Sequence, residues 1–156
     1  MEERIATFDP QDKDVKEMYA VCKEVLGLSK IIAVEVDHCP QSYGCLLLAT
    51  NGDKIVYSGD TLPCQNLINY SHNCKVLIHE ATLEDGLEKD AFYKKHTTTS
   101  QAIEIGQKVN AWRTILTHFS PRYQKIAETS EKHIDCKALI AFDHMRVSLG
   151  NLEWAY

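Results

Sequence analysis

The apolar residues change from a helical spacing to short strand-like runs after residue 27. Val15, Met18, Cys22 and Val25 recur at the spacing of a helix face and predict an amphipathic helix over 12–27 that ends at Gly27. Period-two or continuous apolar runs predict strands at 31–38, 45–50, 54–60, 74–80 and 113–119, with one or two more in 137–149. A further helix is predicted within 97–112, and 120–132 reads as a helix or a polar excursion. This order predicts mixed α/β layers.

A tight hairpin is predicted where two of these strands meet. Asn51-Gly52-Asp53 separates the runs 45–50 and 54–60, and Asn-Gly favours the positive φ angles of a short turn.

Ionisable residues stand at the end of five predicted strands. These ends are Asp37-His38, Gly59-Asp60, His79-Glu80, His118 and Asp143-His144. A single histidine after a strand is usually a solvated surface residue, but five such ends in order indicate a site at one edge of the sheet. Imidazole and carboxylate groups without cysteine suit a divalent metal such as zinc or manganese.

Composition narrows the class of protein only a little. The chain has 156 residues, enough for one domain with a core, and its formal net charge is −5. The net charge therefore does not indicate nucleic-acid binding, although a basic groove can exist locally. The six cysteines form no CxxC pair, which argues against a zinc ribbon and favours free thiols.

Six segments, in order, resemble the catalytic half of tRNase Z. They are VDHCPQSYG, YSGDTLPC, LIHEATLED, HTTTSQA, LTHFSPRY and AFDHM, and the resemblance spans roughly residues 31–150, most of the chain. tRNase Z is a zinc-dependent endoribonuclease of the metallo-β-lactamase superfamily that removes 3′ trailers from precursor tRNA. The segments SGDTLPC and HEATLEDGLE are similar to its long, eukaryotic form. The fold that this implies is the C-terminal portion of an αββα sandwich, a mixed sheet flanked by helices.

The resemblance implies a set of site residues. His38 and His118 match ligands of two different zinc ions, and Asp60 matches the carboxylate that bridges both. Its two oxygens can contact one ion each, and paired ions stabilise in-line displacement at phosphorus. His96 matches the histidine of the family's HST loop, and Glu80 is its expected partner in proton transfer to the departing 3′ oxygen.

Five further residues are candidates for support or substrate contact. His79 either positions a ligand or packs beneath the site. Arg122 and Tyr123 either meet phosphate or a stacked base or belong to a surface loop. Asp143 and His144 close the last strand and are expected to support the site from its edge.

The family's HxHxDH motif, which supplies three or four ligands, is absent from the chain. A dinuclear site needs roughly six to eight protein ligands, so the matched residues form about half of one. Residues 1–156 are therefore expected to be a single partial domain, the C-terminal portion of the catalytic half, and inactive in isolation. Precursor tRNA is the expected substrate.

Two other functions and several partners remain open from the sequence. The chain could belong to a metallohydrolase of another phosphodiester, or to a non-catalytic module that binds a partner or dimerises. Expected partners besides tRNA are the missing N-terminal part of the protein or a second copy of the chain, with no membrane involved. An intracellular location, nuclear or mitochondrial, follows only from the family.

Overall fold

The computed structural model describes Ile5–Ala6, residues 13–121 and residues 137–149. Its strands are β1 (Ile5–Ala6), β2 (Leu28–Glu35), β3 (Tyr43–Ala49), β4 (Lys54–Tyr57), β5 (Val76–Glu80), β6 (Arg113–Thr117) and β7 (Ala138–Ile140). Its helices are α1 (Lys13–Leu26), α2 (Gln65–Ser71), α3 (Glu88–Lys94) and α4 (Thr99–Lys108). The expected α/β architecture with a mixed sheet is confirmed.

The strands form one sheet in chain order, β1 to β7, within the described residues. β2, β3 and β4 are successively antiparallel, so β2 and β4 point the same way. β4, β5, β6 and β7 are parallel to one another. Five strands therefore have their carboxyl ends at one edge of the sheet, which is where the sequence places its ionisable residues.

The hairpin at Asn51-Gly52 forms, but its loop differs from the expected tight turn. The Ala49 N–H donates to the Asp53 carbonyl at 2.8 Å, which leaves three residues in the loop. Gly52 has φ +92°, whereas Asn51 is not among the residues with positive φ. The single left-handed residue fits a three-residue loop, in which only one position requires it.

Several boundaries differ from the sequence predictions. β4 ends at Tyr57 rather than at residue 60, and the expected strands within 137–149 reduce to the three residues of β7. Helices α2 and α3 were not predicted, since each has only seven residues and gives little periodicity. Most of the segment 120–132 lies outside the described residues.

Helices α2 and α4 cover one face of the sheet. Apolar residues of both helices pack against β2 to β5 in a buried cluster that includes Val34, Leu46, Val56, Leu67, Leu77, Ile105 and Val109. α4 also lies very close to β6, because a Cβ on Gly106 would collide with the Thr114 hydroxyl. This contact holds α4, and the residues before it, against the site edge.

The opposite face of the sheet is apolar but only partly covered. Val76 and Ile115 are buried there, and Ile55, Ile78, Trp112 and Leu139 beside them are half-buried.

None of the helices among the described residues is long and apolar enough to span a bilayer.

Candidate metal and proton-transfer site

Five ionisable side chains converge at the carboxyl edge of the sheet. His38 and Asp60 lie in the loops after β2 and β4, Glu80 is the last residue of β5, and His118 follows β6 directly. His96 lies between α3 and α4. The ring centroids of His38 and His96 are 4.9 Å apart, and those of His96 and His118 are 5.7 Å apart. The structure thus brings together all the residues to which the sequence analysis gave catalytic or metal-binding roles.

The backbone turns sharply at two of these positions. Gly59 has φ +62°, and a Cβ there would lie 2.7 Å from the Tyr43 carbonyl oxygen, so only glycine fits before Asp60. His118 itself adopts φ +62°, a left-handed conformation that costs roughly 1–3 kcal/mol in a residue other than glycine. This strained conformation occurs where the chain turns His118 toward the edge of the sheet.

Glu80 is buried and fully engaged by hydrogen bonds. Its side chain is 1% exposed, and Oε1 accepts from the Thr61 N–H at 2.7 Å and lies 2.8 Å from His96 Nδ1. Oε2 accepts from the Thr82 hydroxyl at 2.6 Å, the Thr82 N–H at 3.3 Å and the Thr97 N–H at 3.1 Å. A buried carboxylate needs such compensation. These donors fix its position relative to His96.

The Thr82 hydroxyl links this carboxylate to His118. Its single hydrogen is donated to Glu80 Oε2, so its oxygen is left to accept from His118 Nδ1 at 2.8 Å. His118 Nδ1 is also 3.5 Å from Asp60 Oδ1. Thr82 was not singled out in the sequence, although it is the last residue of the HEAT motif that drew attention to Glu80.

Hydrogen bonds set the same tautomer in all three histidines of the cluster. Nδ1 faces an acceptor in each case: the Lys95 carbonyl at 2.7 Å for His38, Glu80 Oε1 for His96 and Thr82 Oγ1 for His118. Nδ1 therefore carries a hydrogen, and Nε2 keeps its lone pair for a metal or a proton. An acceptor on the far nitrogen is the usual arrangement around metal-binding histidines.

Lys95 holds His38 in a reciprocal contact that the sequence did not reveal. The Lys95 ammonium donates to the His38 carbonyl at 2.6 Å, while the Lys95 carbonyl accepts from the His38 ring. Lys95 adopts φ +56° at the end of α3, which turns its carbonyl toward His38. No sequence motif signals this contact, because half of it is made by backbone atoms.

Two groups of donor atoms among the described residues are close enough to share a cation. One consists of His38, Asp60 and His96, and the other of Glu80, His96 and His118; within each group the atoms lie within 4.8 Å of one another. Imidazole nitrogen and carboxylate oxygen are donors that suit zinc. Because both oxygens of Glu80 already accept hydrogen bonds, His38, Asp60 and His118 are the freer candidates for ligation.

The remaining candidates lie apart from this cluster or outside the described residues. His79 is fully buried, donates from Nδ1 to the Glu80 carbonyl at 2.7 Å, and has no partner for Nε2 among the described residues. Burial lowers the pKa of His79 from its ordinary value of 6.5. Asp143 and His144 follow β7 at the same edge but are exposed and belong to neither donor group. Arg122 and Tyr123 lie outside the described residues.

Comparison with known structures identifies the fold. No protein-family model matches the chain. A metallo-β-lactamase-fold protein from Bacillus subtilis, YhfI, aligns with a TM-score of 0.60 at 20% identity, over 71% of this chain and 46% of that chain. This likeness concerns the fold alone. The described part of the chain has a metallo-β-lactamase-like fold.

More specific likenesses give the family. A long-form RNase Z from yeast aligns with a TM-score of 0.73 at 34% identity, over 89% of this chain and 20% of that chain. The zinc phosphodiesterase ELAC protein 2 of Macaca fascicularis is 52% identical over 74% of this chain, and the mitochondrial ribonuclease Z of Drosophila melanogaster is 47% identical over 83%. The chain belongs to the tRNase Z family and matches part of its long form. It spans 14% and 18% of the length of those two relatives.

Proposed function

We propose that the chain is part of a zinc-dependent endoribonuclease that removes the 3′ trailer from precursor tRNA. The observation that carries the proposal is the pair of buried Glu80 and partly buried His96, whose donor atoms lie close to those of His118, while those of His96 also lie close to His38 and Asp60. Relatives named zinc phosphodiesterase and ribonuclease Z support it. A non-catalytic module is not favoured, because these side chains are all present and converge.

Zinc would be held by His38, Asp60 and His118, with two ions in the complete site. The fit rests on the free Nε2 atoms of the two histidines and on Asp60, whose side chain is about one third exposed. The metal, when bound, supplies positive charge that stabilises attack of hydroxide on phosphorus. The residues 1–156 then form the C-terminal portion of one domain, and the HxHxDH ligands come from outside them.

Residues of this chain can protonate the leaving group. Cleavage breaks the bond between phosphorus and the ribose 3′ oxygen, and that oxygen leaves with the electron pair. His96 keeps Nδ1–H on Glu80, so a proton carried on Nε2 faces the site and can pass to the departing oxygen. Glu80, 2.8 Å away, stabilises the positive charge of the imidazolium before the transfer.

The test is cleavage of a precursor tRNA with a 3′ trailer, in zinc, by the complete protein that carries residues 1–156. Glu80→Ala and His96→Ala are compared with the unaltered protein for single-turnover rate and for bound zinc. Slow cleavage with full metal content supports proton transfer. Loss of zinc in either variant would show that the residue is a ligand instead. Robust cleavage by the isolated chain would contradict the proposed division of the site.

The partly covered apolar face of the sheet is a candidate binding surface for another part of the protein. Ile55, Ile78 and Leu139 leave apolar surface on the sheet face that α2 and α4 do not cover. We propose that the N-terminal part of the same protein covers it, with self-association when that part is missing. Light scattering of the isolated chain, with and without the N-terminal part, distinguishes these states.

A mitochondrial location is proposed from the Drosophila relative's name, and a nuclear one stays a prediction.

A further inference from the structure

Two large aromatic side chains project from the end of α3 without joining the core. Phe92 is 65% exposed and Tyr93 82% exposed, and their rings meet edge to face with centroids 6.1 Å apart. The neighbouring Ala91, 1% exposed, is what anchors this helix to the protein. Phe92 and Tyr93 thus leave apolar ring faces in water, next to each other, at no benefit to folding.

Charge is unevenly distributed along α3. Its first turn carries Glu88, Lys89 and Asp90, with a net charge of −1, while Lys94 and Lys95 stand at its end. The Lys95 ammonium is engaged by the His38 carbonyl, whereas that of Lys94 makes no hydrogen bond or ion pair within the described part of the chain. The basic end of the helix is the one that carries the aromatic rings, although the whole chain has a net charge of −5.

The same end of α3 is attached to the candidate site. The His96 N–H donates to the Ala91 carbonyl at 2.9 Å, and Lys95 exchanges two hydrogen bonds with His38. The rings are therefore only three and four residues from the proposed proton donor, on a short rigid connection. Because three residues span at most about 10 Å, a polyanionic strand with one phosphate in the site can reach them.

We propose that Phe92 and Tyr93 stack on unpaired bases of the RNA next to the scissile phosphate, and that Lys94 contacts a neighbouring phosphate. Aromatic rings stack on any base, so this contact serves trailers of differing sequence. The first turn of α3 has a net charge of −1 and its end carries two lysines, so the end of the helix is the more favourable place for phosphate. The inference rests on the proposed function in taking RNA as the substrate, and adds to it the place where unpaired nucleotides are held.

Binding is measured with the 156-residue chain and a fluorescein-labelled single-stranded RNA of mixed sequence, in chelator, by fluorescence anisotropy. Phe92→Ala and Tyr93→Ala should each weaken binding about tenfold, the lower part of the range for loss of one stacked base. Tyr93→Trp should retain it, because the indole ring also stacks. Lys94→Gln should reduce the salt dependence of binding by about one phosphate contact.

Leu26→Ala is the matched control, since it removes a side chain that is 63% exposed from a different helix. Binding unchanged in Phe92→Ala and Tyr93→Ala, or no binding of RNA by the unaltered chain, would overturn the inference. So would a change in self-association with no change in RNA binding, which would make the rings a protein contact.

Cleavage measurements on the complete protein distinguish a failure of this inference from a failure of the proposed function. If it cleaves precursor tRNA and the two aromatic variants leave KM unchanged, the function stands and the stacking surface is wrong. If RNA binds through the rings but no trailer is removed, the surface stands as an RNA site and the proposed nuclease activity is wrong.

Discussion

Glu80 Oε1 lies 2.8 Å from His96 Nδ1, and four further donor contacts from Thr61, Thr82 and Thr97 hold the carboxylate in that place. The pair is formed between the last residue of β5 and the segment that connects α3 to α4. Because the carboxylate is buried and the imidazole only partly so, the Nε2 atom of His96 is the end of the pair that can reach a substrate.

Glu80→Gln should slow cleavage by the complete protein about 10²- to 10⁴-fold, the usual contribution of a general acid. The amide keeps the shape of the side chain but loses the negative charge that stabilises an imidazolium. Single-turnover cleavage of a precursor tRNA measures the rate, and zinc content measured on the same sample is the control. A variant with the normal rate would contradict the proton-transfer role of the pair.

Thr82→Val should weaken zinc binding about 10- to 100-fold, as removal of a hydrogen-bond partner of a ligand does elsewhere. The methyl group fills the space of the hydroxyl but no longer accepts from His118 Nδ1 or donates to Glu80. Competition with a chromophoric chelator measures the affinity. Thr82→Ser, which restores the hydroxyl, is the matched control and should bind zinc as the unaltered protein does. Equal weakening in both variants would show that the hydroxyl is not the cause.

The convergence of the site could be predicted from the sequence because it follows from strand direction. Apolar runs that end in His38, Asp60, Glu80 and His118 place those residues at one edge once the strands are known to run the same way. The partners Thr82 and Lys95 could not be found in this manner. Thr82 acts through a hydroxyl that contacts both Glu80 and His118, and Lys95 acts partly through a carbonyl whose direction depends on a left-handed φ.

Helix α3 escaped prediction for a related reason. Its only buried residue is Ala91, and Phe92 and Tyr93 stand on its exposed side, so the helix has no apolar stripe. A helix that packs on the core through one residue does not show the periodicity from which helices are recognised.

The stability of the chain should fall as the pH is lowered below about 6.5, the ordinary pKa of histidine. Burial lowers the pKa of His79 in the folded protein, so between 6.5 and that lower value the unfolded state binds more protons. The free energy of unfolding therefore decreases with falling pH in that window, by at most about 1.4 kcal/mol per pH unit for one proton.

Urea denaturation of the isolated chain at several pH values between 5 and 8 measures this slope. His79→Asn should flatten it, since the amide can still donate to the Glu80 carbonyl but does not titrate. His72→Asn, which removes an exposed histidine at the end of α2, is the control. The same change of slope in both variants would contradict the assignment to His79.

Gly106→Ala should lower the free energy of unfolding by about 1–3 kcal/mol, because a Cβ at this position would overlap the Thr114 hydroxyl. The sign is informative, since alanine in place of glycine within a helix otherwise stabilises by about 1 kcal/mol. Urea denaturation at pH 7.5 measures the change, and Gly106→Ala in a Thr114→Ala background tests its cause. There the hydroxyl is gone, so the penalty should shrink and the two substitutions should not be additive. Additive losses would show that α4 does not depend on its close approach to β6.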